Sequence, residues 1–166
     1  MITLLRKLIR DTHGGLGPAY AGFLTIMLAG AALSVDYSTL IREDAVLQRA
    51  VDAISVAAAS AAAKQLPDTS AALSEARRML SANLPSATYG DLATRAAVQF
   101  GVWQNESFSA QAGANQAVRV AARWDGSVSQ PLPTTFGGAL GVTSLEPFAE
   151  AVGIPSAGTV CMLALG

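Results

Sequence analysis

One cysteine and one histidine are all that 166 residues offer, and charged residues make up only 14% of the chain. The lone Cys161 excludes an intrachain disulfide, so any exported part must stand on packing alone. It is left either as a small buried hydrophobe or as a bridge to a second chain. A surplus of basic residues is also missing. The formal net charge is −1, which leaves no stripe for phosphates and excludes nucleic acid as a partner. No HExxH, paired CxxC or GxSxG occurs, and Gly14-Gly15-Leu16-Gly17 follows no strand, so no phosphate-cradling loop is expected. No enzyme, metal site, cofactor or small-molecule substrate is expected. Asp91, Glu106, Asp125 and Glu150 are read as scattered surface carboxylates. Asn105-Glu106-Ser107 matches a glycosylation sequon, a triplet that chance often supplies.

Proline is absent between Pro18 and Pro67, and glycine between Gly30 and Gly90. Nothing in that interval breaks a helix, and Pro18 suits a first helical turn, where its missing N–H costs little. The spacing therefore predicts one helix over residues 18–65, about 70 Å long at roughly 1.5 Å per residue.

Its first part has no charge. Between His13 and Asp36 lie 22 uncharged residues, preceded by Arg6, Lys7 and Arg10. The dense apolar stretch, residues 19–35, is just long enough to cross a hydrocarbon core of about 30 Å. Phe23, Leu24, Ile26, Met27, Leu28 and Leu33 are the expected lipid contacts. Basic residues before the span place the N-terminus in the cytoplasm and the remainder outside, which puts His13 out of reach of Cys161 and of any exported serine. A cleaved signal peptide is the competing reading, with Gly30-Ala31-Ala32 as the cut. Small residues at four-residue spacing (Ala21, Thr25, Ala29; Gly30, Ser34) are compatible with helix association in lipid. Asp36 and Tyr37 fall at the interface. Asp36 marks the exit into water or, more sharply, meets a basic group of a neighbouring chain.

Beyond the span, Leu40, Leu47, Ile54 and Ala61 recur every seven residues, with Val51 and Ala58 between them. Such a seam needs a facing surface: another helix, a sheet of the same chain, or a partner subunit. Asp68 is placed to cap a second helix that Pro85 ends, with Leu73, Ala76, Arg77, Leu80 and Leu84 on its apolar face. From about residue 96 the period becomes two: Val98, Phe100, Val102, then Val118, Val120, Ala122 and Trp124. Asp125-Gly126 makes a turn into residues 127–130. Residues 134–140 form a short helix, and residues 145–152 and 159–165 are extended, with Pro147 arguing for an edge strand. The fold class is α+β: a long N-terminal helix that is membrane span and then periplasmic stalk, a short helix, and a small antiparallel sheet. The organisation is a basic segment over 1–15, the transmembrane helix over 16–35, a stalk over 36–66 and an α+β domain over 67–166.

These words, in this order, resemble a known family. A double glycine and a hydrophobic span closing in Val35-Asp36-Tyr37 are followed by Leu47-Gln48-Arg49-Ala50-Val51-Asp52-Ala53 and an alanine tract. That is similar to the TadE/TadG-like proteins of bacterial Flp (tight adherence) pilus assembly systems. VQFGVW, NQAVRVAARW, PLPTTFGGALGVTSLEPFAEAV and CMLAL look like the extended region of the TadG type. The resemblance implies a single-pass inner-membrane protein with a periplasmic domain, acting by protein–protein association. Other pilus-assembly subunits, or a second copy, are the implied partners. Pilins processed by prepilin peptidase carry a glutamate five residues after the cleavage glycine. Counting from Gly14, Gly15 or Gly17 reaches Ala19, Tyr20 or Gly22 instead, which favours a permanently anchored, TadG-like role.

Overall fold

A computed structural model describes residues 17–64, 69–155 and 161–164, the last four in backbone only. Alanine-rich sequence without breakers builds helix α1 (Gly17–Lys64), 48 residues in one piece. Four shorter segments follow in order: helix α2 (Ser70–Asn83), the single turns α3 (Ser86–Tyr89) and α4 (Leu92–Arg95), and strand β1 (Ala97–Gln104). Then come β2 (Ser107–Ala110), β3 (Ala117–Arg123), β4 (Leu132–Pro133), a 3-10 helix (Gly137–Leu140), β5 (Ser144–Leu145), β6 (Phe148–Ile154) and β7 (Cys161–Ala164). The main sheet is antiparallel in the order β2-β1-β3-β6-β7, and β4 pairs with β5 in a separate two-stranded ribbon. The fold is α+β, as the change of period from helix-like to two implies.

The second half of α1 is the spine of the domain rather than a free stalk. Leu47, Val51, Ile54, Ala58 and Ala59 are wholly buried, and Ala50 and Ala62 nearly so. They pack on β6, β3 and α2. Of the coverings open to the seam, the chain's own sheet and second helix are the ones that fill it. Leu40 and Ala61, at its ends, are half-buried. The seven-residue spacing is part of a broader stripe. Buried positions 43, 47, 50, 51, 54, 55, 58, 59 and 62 form a stripe two residues wide with a 3.6-residue period. A helix lying against both a sheet and another helix needs that breadth, whereas a coiled-coil seam is narrower. The stalk and the α+β domain are therefore one unit beginning at Asp36. Each fully buried Leu, Val or Ile there contributes about 1.5–3 kcal/mol.

On the inner face of the sheet, Val118, Val120 and Ala122 of β3 lie beside Gly153, Ala151 and Ala149 of β6. All of these are buried. Gly153 has no room for a side chain: a β-carbon there would collide with the carbonyl of Ser55 on α1, backbone against backbone. Helix and strand approach this closely only because the residue is glycine. Gly153→Ala must push the two elements apart, at an expected cost of about 3 kcal/mol. A lowered urea midpoint for the detergent-solubilised protein would show it, and an unchanged midpoint would contradict this packing.

Elsewhere the structure adjusts the sequence reading. In α2, Ala76 and Leu80, with Leu84 just past the helix, are buried as expected and Arg77 is half-buried, but Leu73 is exposed and Ala72 takes its place in the core. Thr69 precedes the helix without a side-chain cap; Asp68 lies outside the described residues. Arg77 does not stay in solvent: its Nη1 donates to the carbonyl of Ala96 at 2.7 Å, with longer bonds to Ala93 and Thr94. Pro147 stands just before β6, which is a central strand, so the proline ends the preceding ribbon instead of marking an edge. Its carbonyl accepts the N–H of Trp124. The short helix expected over 134–140 is a 3-10 turn over its last four residues. Strand β2 carries no alternating pattern and is reached by a two-residue turn, Asn105-Glu106, with both residues at positive φ. Such a turn suits the twist of a hairpin.

Candidate functional site

Two surfaces meet at Asp36: the lipid-like half of α1 and a loop returning from the far part of the sequence. Over α1, an 18-residue window with mean hydropathy 1.6 has none of its residues buried. Phe23, Leu24, Ile26, Met27, Leu28 and Leu33 are all more than half exposed. This helix is long and apolar enough to cross a membrane. Its serine and threonine hydroxyls need no outside partner. Thr25 donates to the carbonyl of Ala21, Ser34 to Gly30, and Ser38 and Thr39 to Val35. In hydrocarbon, where water cannot satisfy a donor, that internal pairing is required. Tyr37, next to Asp36 at the end of the belt, is also exposed. The basic residues Arg6, Lys7 and Arg10, and His13, lie outside the described residues.

Asp36 is not a solvated boundary mark: its carboxylate is taken up by the chain's own backbone. Only 6% of it is exposed. Its carboxylate accepts three successive backbone N–H groups: Thr135 at 2.6 Å, Phe136 at 3.1 Å and Gly137 at 2.7 Å. These are the donors left open at the start of the 3-10 helix, so Asp36 caps it from about a hundred residues away in sequence. Burial pushes the Asp36 carboxyl up, but the three backbone bonds together prevail and hold it below the ordinary carboxylate value.

The other acidic residues tie turns together. Asp91 accepts from Arg95 Nε at 2.6 Å and from the Ser129 backbone at 2.7 Å, while its own N–H donates to the Ser129 hydroxyl. The Arg95 bond first, then the Ser129 bond, lower its carboxyl to about 2. Asp125 accepts the N–H and hydroxyl of Ser127, confirming the turn expected there. Glu150 pairs with Arg119 at 2.5 Å across β6 and β3. Glu43, also nearly buried, pairs with Arg42. Burial first, and then the Glu43 carboxylate that it hydrogen-bonds, push the Tyr89 phenol up. Tyr89 in turn meets the Trp124 ring edge-on at 4.8 Å. These bonds organise the loops into which β3 and α2 run. Of the four expected surface carboxylates they bring two together: Asp91 binds Arg95 directly, and the Arg95 Nη1 donates to the Ser127 hydroxyl that Asp125 accepts.

Among the described residues no three His, Cys, Asp or Glu side chains gather as metal ligands. A cavity of about 390 Å³ at the opposite end is lined by Ala63, Trp103, Asn115, Gln116, Ile154 and Pro155, none of them ionisable. The Cys161 side chain is outside what the structure describes, and only its place in β7, paired with Ile154, is given.

Comparison with protein-family models, with curated proteins and with solved structures finds no match for this chain.

Proposed function

We propose that this chain is a single-pass structural protein of the cell envelope, TadE/TadG-like and closest to the TadG type, supporting Flp pilus assembly through protein–protein association. One observation carries the reading: a single 48-residue helix whose first part is bare and apolar and whose second part is the core of a folded domain. Such a helix couples a bilayer rigidly to the domain. The N-terminus lies in the cytoplasm and the domain in the periplasm, by the bias of basic residues toward the N-terminal side. The order of the VDY, LQRAVDA and PLPTTFGGAL segments supplies the link to pilus assembly. With the seam consumed inside the domain, partners meet the lipid-facing helix or the edge strands β2 and β7. No catalytic step is assigned to any residue.

Deletion in the source cell is expected to abolish surface pili, with rescue by the full chain and none by a chain lacking residues 1–35. A C-terminal alkaline phosphatase fusion is expected to be active, and pilus-assembly subunits to co-purify in mild detergent. Normal piliation after deletion would overturn the reading. Release by signal peptidase is the second reading, favoured by one fact: the apolar window buries nothing in the domain. A mature N-terminus near Leu33 by mass spectrometry would establish it.

A further inference from the structure

The loop that Asp36 holds is itself apolar and uncharged. Residues 126–145 carry no charge over 20 positions, between Asp125 and Glu146. At the tip, Phe136 is 47% exposed, Leu140 70% and Val142 50%. Three large apolar side chains left in water by a 20-residue segment that is folded and hydrogen-bonded need an explanation. Their position supplies it. The N–H groups of Thr135, Phe136 and Gly137 sit on the carboxylate of Asp36, the residue that directly follows the exposed apolar belt. The tip therefore lies at the level where α1 leaves the lipid.

We infer that the tip formed by Phe136, Leu140 and Val142 docks into the interfacial layer of the bilayer beside the anchor, as a second membrane contact of the domain. The inference rests on the membrane-anchored reading above. Backbone chemistry fits it. The Thr134 hydroxyl donates to the Val142 carbonyl at 2.7 Å, the Val142 N–H to Gly137 at 3.0 Å, and the Ala139 and Gly141 N–H groups to Phe136 and Gly138. Each backbone group paired in this way lowers the cost of entering a region poor in water. Gly141, at φ +82, closes the turn in a conformation that other residues resist. Tyr37, exposed beside Asp36, and Ile41, exposed one turn further along α1, extend the apolar surface around the exit point. One helix alone would let the domain swing about its exit; a second contact sets its tilt.

The test uses the full chain in phosphatidylcholine–phosphatidylglycerol nanodiscs, carrying Cys161→Ser and one new cysteine labelled with an environment-sensitive fluorophore. Leu28→Cys probes the span and Leu140→Cys the loop. Glu106→Cys probes the β1–β2 turn, which the strand registers place at the opposite end of the domain. Lipids spin-labelled deep in the acyl chain are expected to quench the probe at 28, and lipids spin-labelled near the headgroup to quench the probe at 140 several-fold more than the probe at 106. Iodide in solution is expected to do the reverse. A probe at 140 that behaves like 106 while 28 stays lipid-quenched overturns the loop contact and leaves the anchor standing. Failure of the probe at 28 as well overturns the anchor itself. Protection at 140 that follows protein concentration, with no lipid quenching, assigns the tip to a second copy and also overturns the proposal.

Discussion

Replacing Ile54 with aspartate is expected to unfold the domain while the chain stays in the membrane. Ile54 is wholly buried between α1 and the sheet, beside Val51 and Ala58. Loss of the side chain alone costs about 2–5 kcal/mol, and a carboxylate with no partner in that core adds more. The sum rivals the whole stability of a typical domain, roughly 5–15 kcal/mol. The apolar belt contributes nothing to that core, so extraction with alkaline carbonate should leave the variant in the membrane fraction. Near-UV circular dichroism from Trp124, which is buried against Tyr89, should collapse, and protease should cut beyond residue 36. Ile54→Val is the control, with an expected cost of about 1 kcal/mol. A variant that stays folded and loses only its partners would mean that the seam is an intermolecular surface after all, against the packing described above.

The reason that this seam is legible in sequence yet not assignable is physical. Heptad-like spacing reports that one side of a helix must be covered, and it cannot report by what. Leu47, Val51 and Ile54 look the same to a partner helix as to β6. The width of the buried stripe separates the two, and that width is hidden because its extra columns are Ala50, Ala59, Ala62 and Ser55, residues equally at home in water. Strand β3 is legible because the buried Val118, Val120 and Ala122 alternate with the more exposed Arg119, Ala121 and Arg123, and β1 because half-buried Val98 and Phe100 alternate with exposed Ala97 and Gln99. Strand β2 is invisible since Ser107, Phe108, Ser109 and Ala110 sit at the sheet edge and only Phe108 is even half-buried. The exposed apolar half of α1 is legible because its signal is local and dense. The Asp36 cap is the reverse case. Neither VDY nor TTFGG announces the other, because the bond joins residues 99 to 101 positions apart. The available hint is that TTFGG offers unpaired N–H groups in an uncharged segment with no local acid to receive them.

Asp36→Ala is expected to free the 135–143 loop and lower the melting temperature by roughly 5–10 °C, with Asp36→Asn between it and the parent. Alanine leaves three N–H groups without an acceptor, and the cap that starts the 3-10 helix is lost. Asparagine keeps one acceptor oxygen but not the charge. Hydrogen exchange at Thr135, Phe136 and Gly137 should accelerate in both variants, while exchange along β3 and β6 slows or quickens only with global stability. The pH dependence has a definite sign. The folded-state pKa of Asp36 lies below its ordinary value of 3.8, so its contribution is complete above that value and disappears as the pH falls through the lowered one. Acid should therefore narrow the gap between parent and Asp36→Asn until the two unfold alike. Asp91 and Asp125 are lowered in the same sense and titrate in both proteins, so it is the difference between the two curves that isolates Asp36. A gap that stays constant down to pH 2 would mean that the carboxylate charge is not what holds the loop. Because the same bonds set the height of Leu140 above the exit of α1, Asp36→Ala should also reduce lipid quenching of the probe at 140 without altering the probe at 28. A boundary charge in open water would leave loop exchange, acid stability and probe depth untouched.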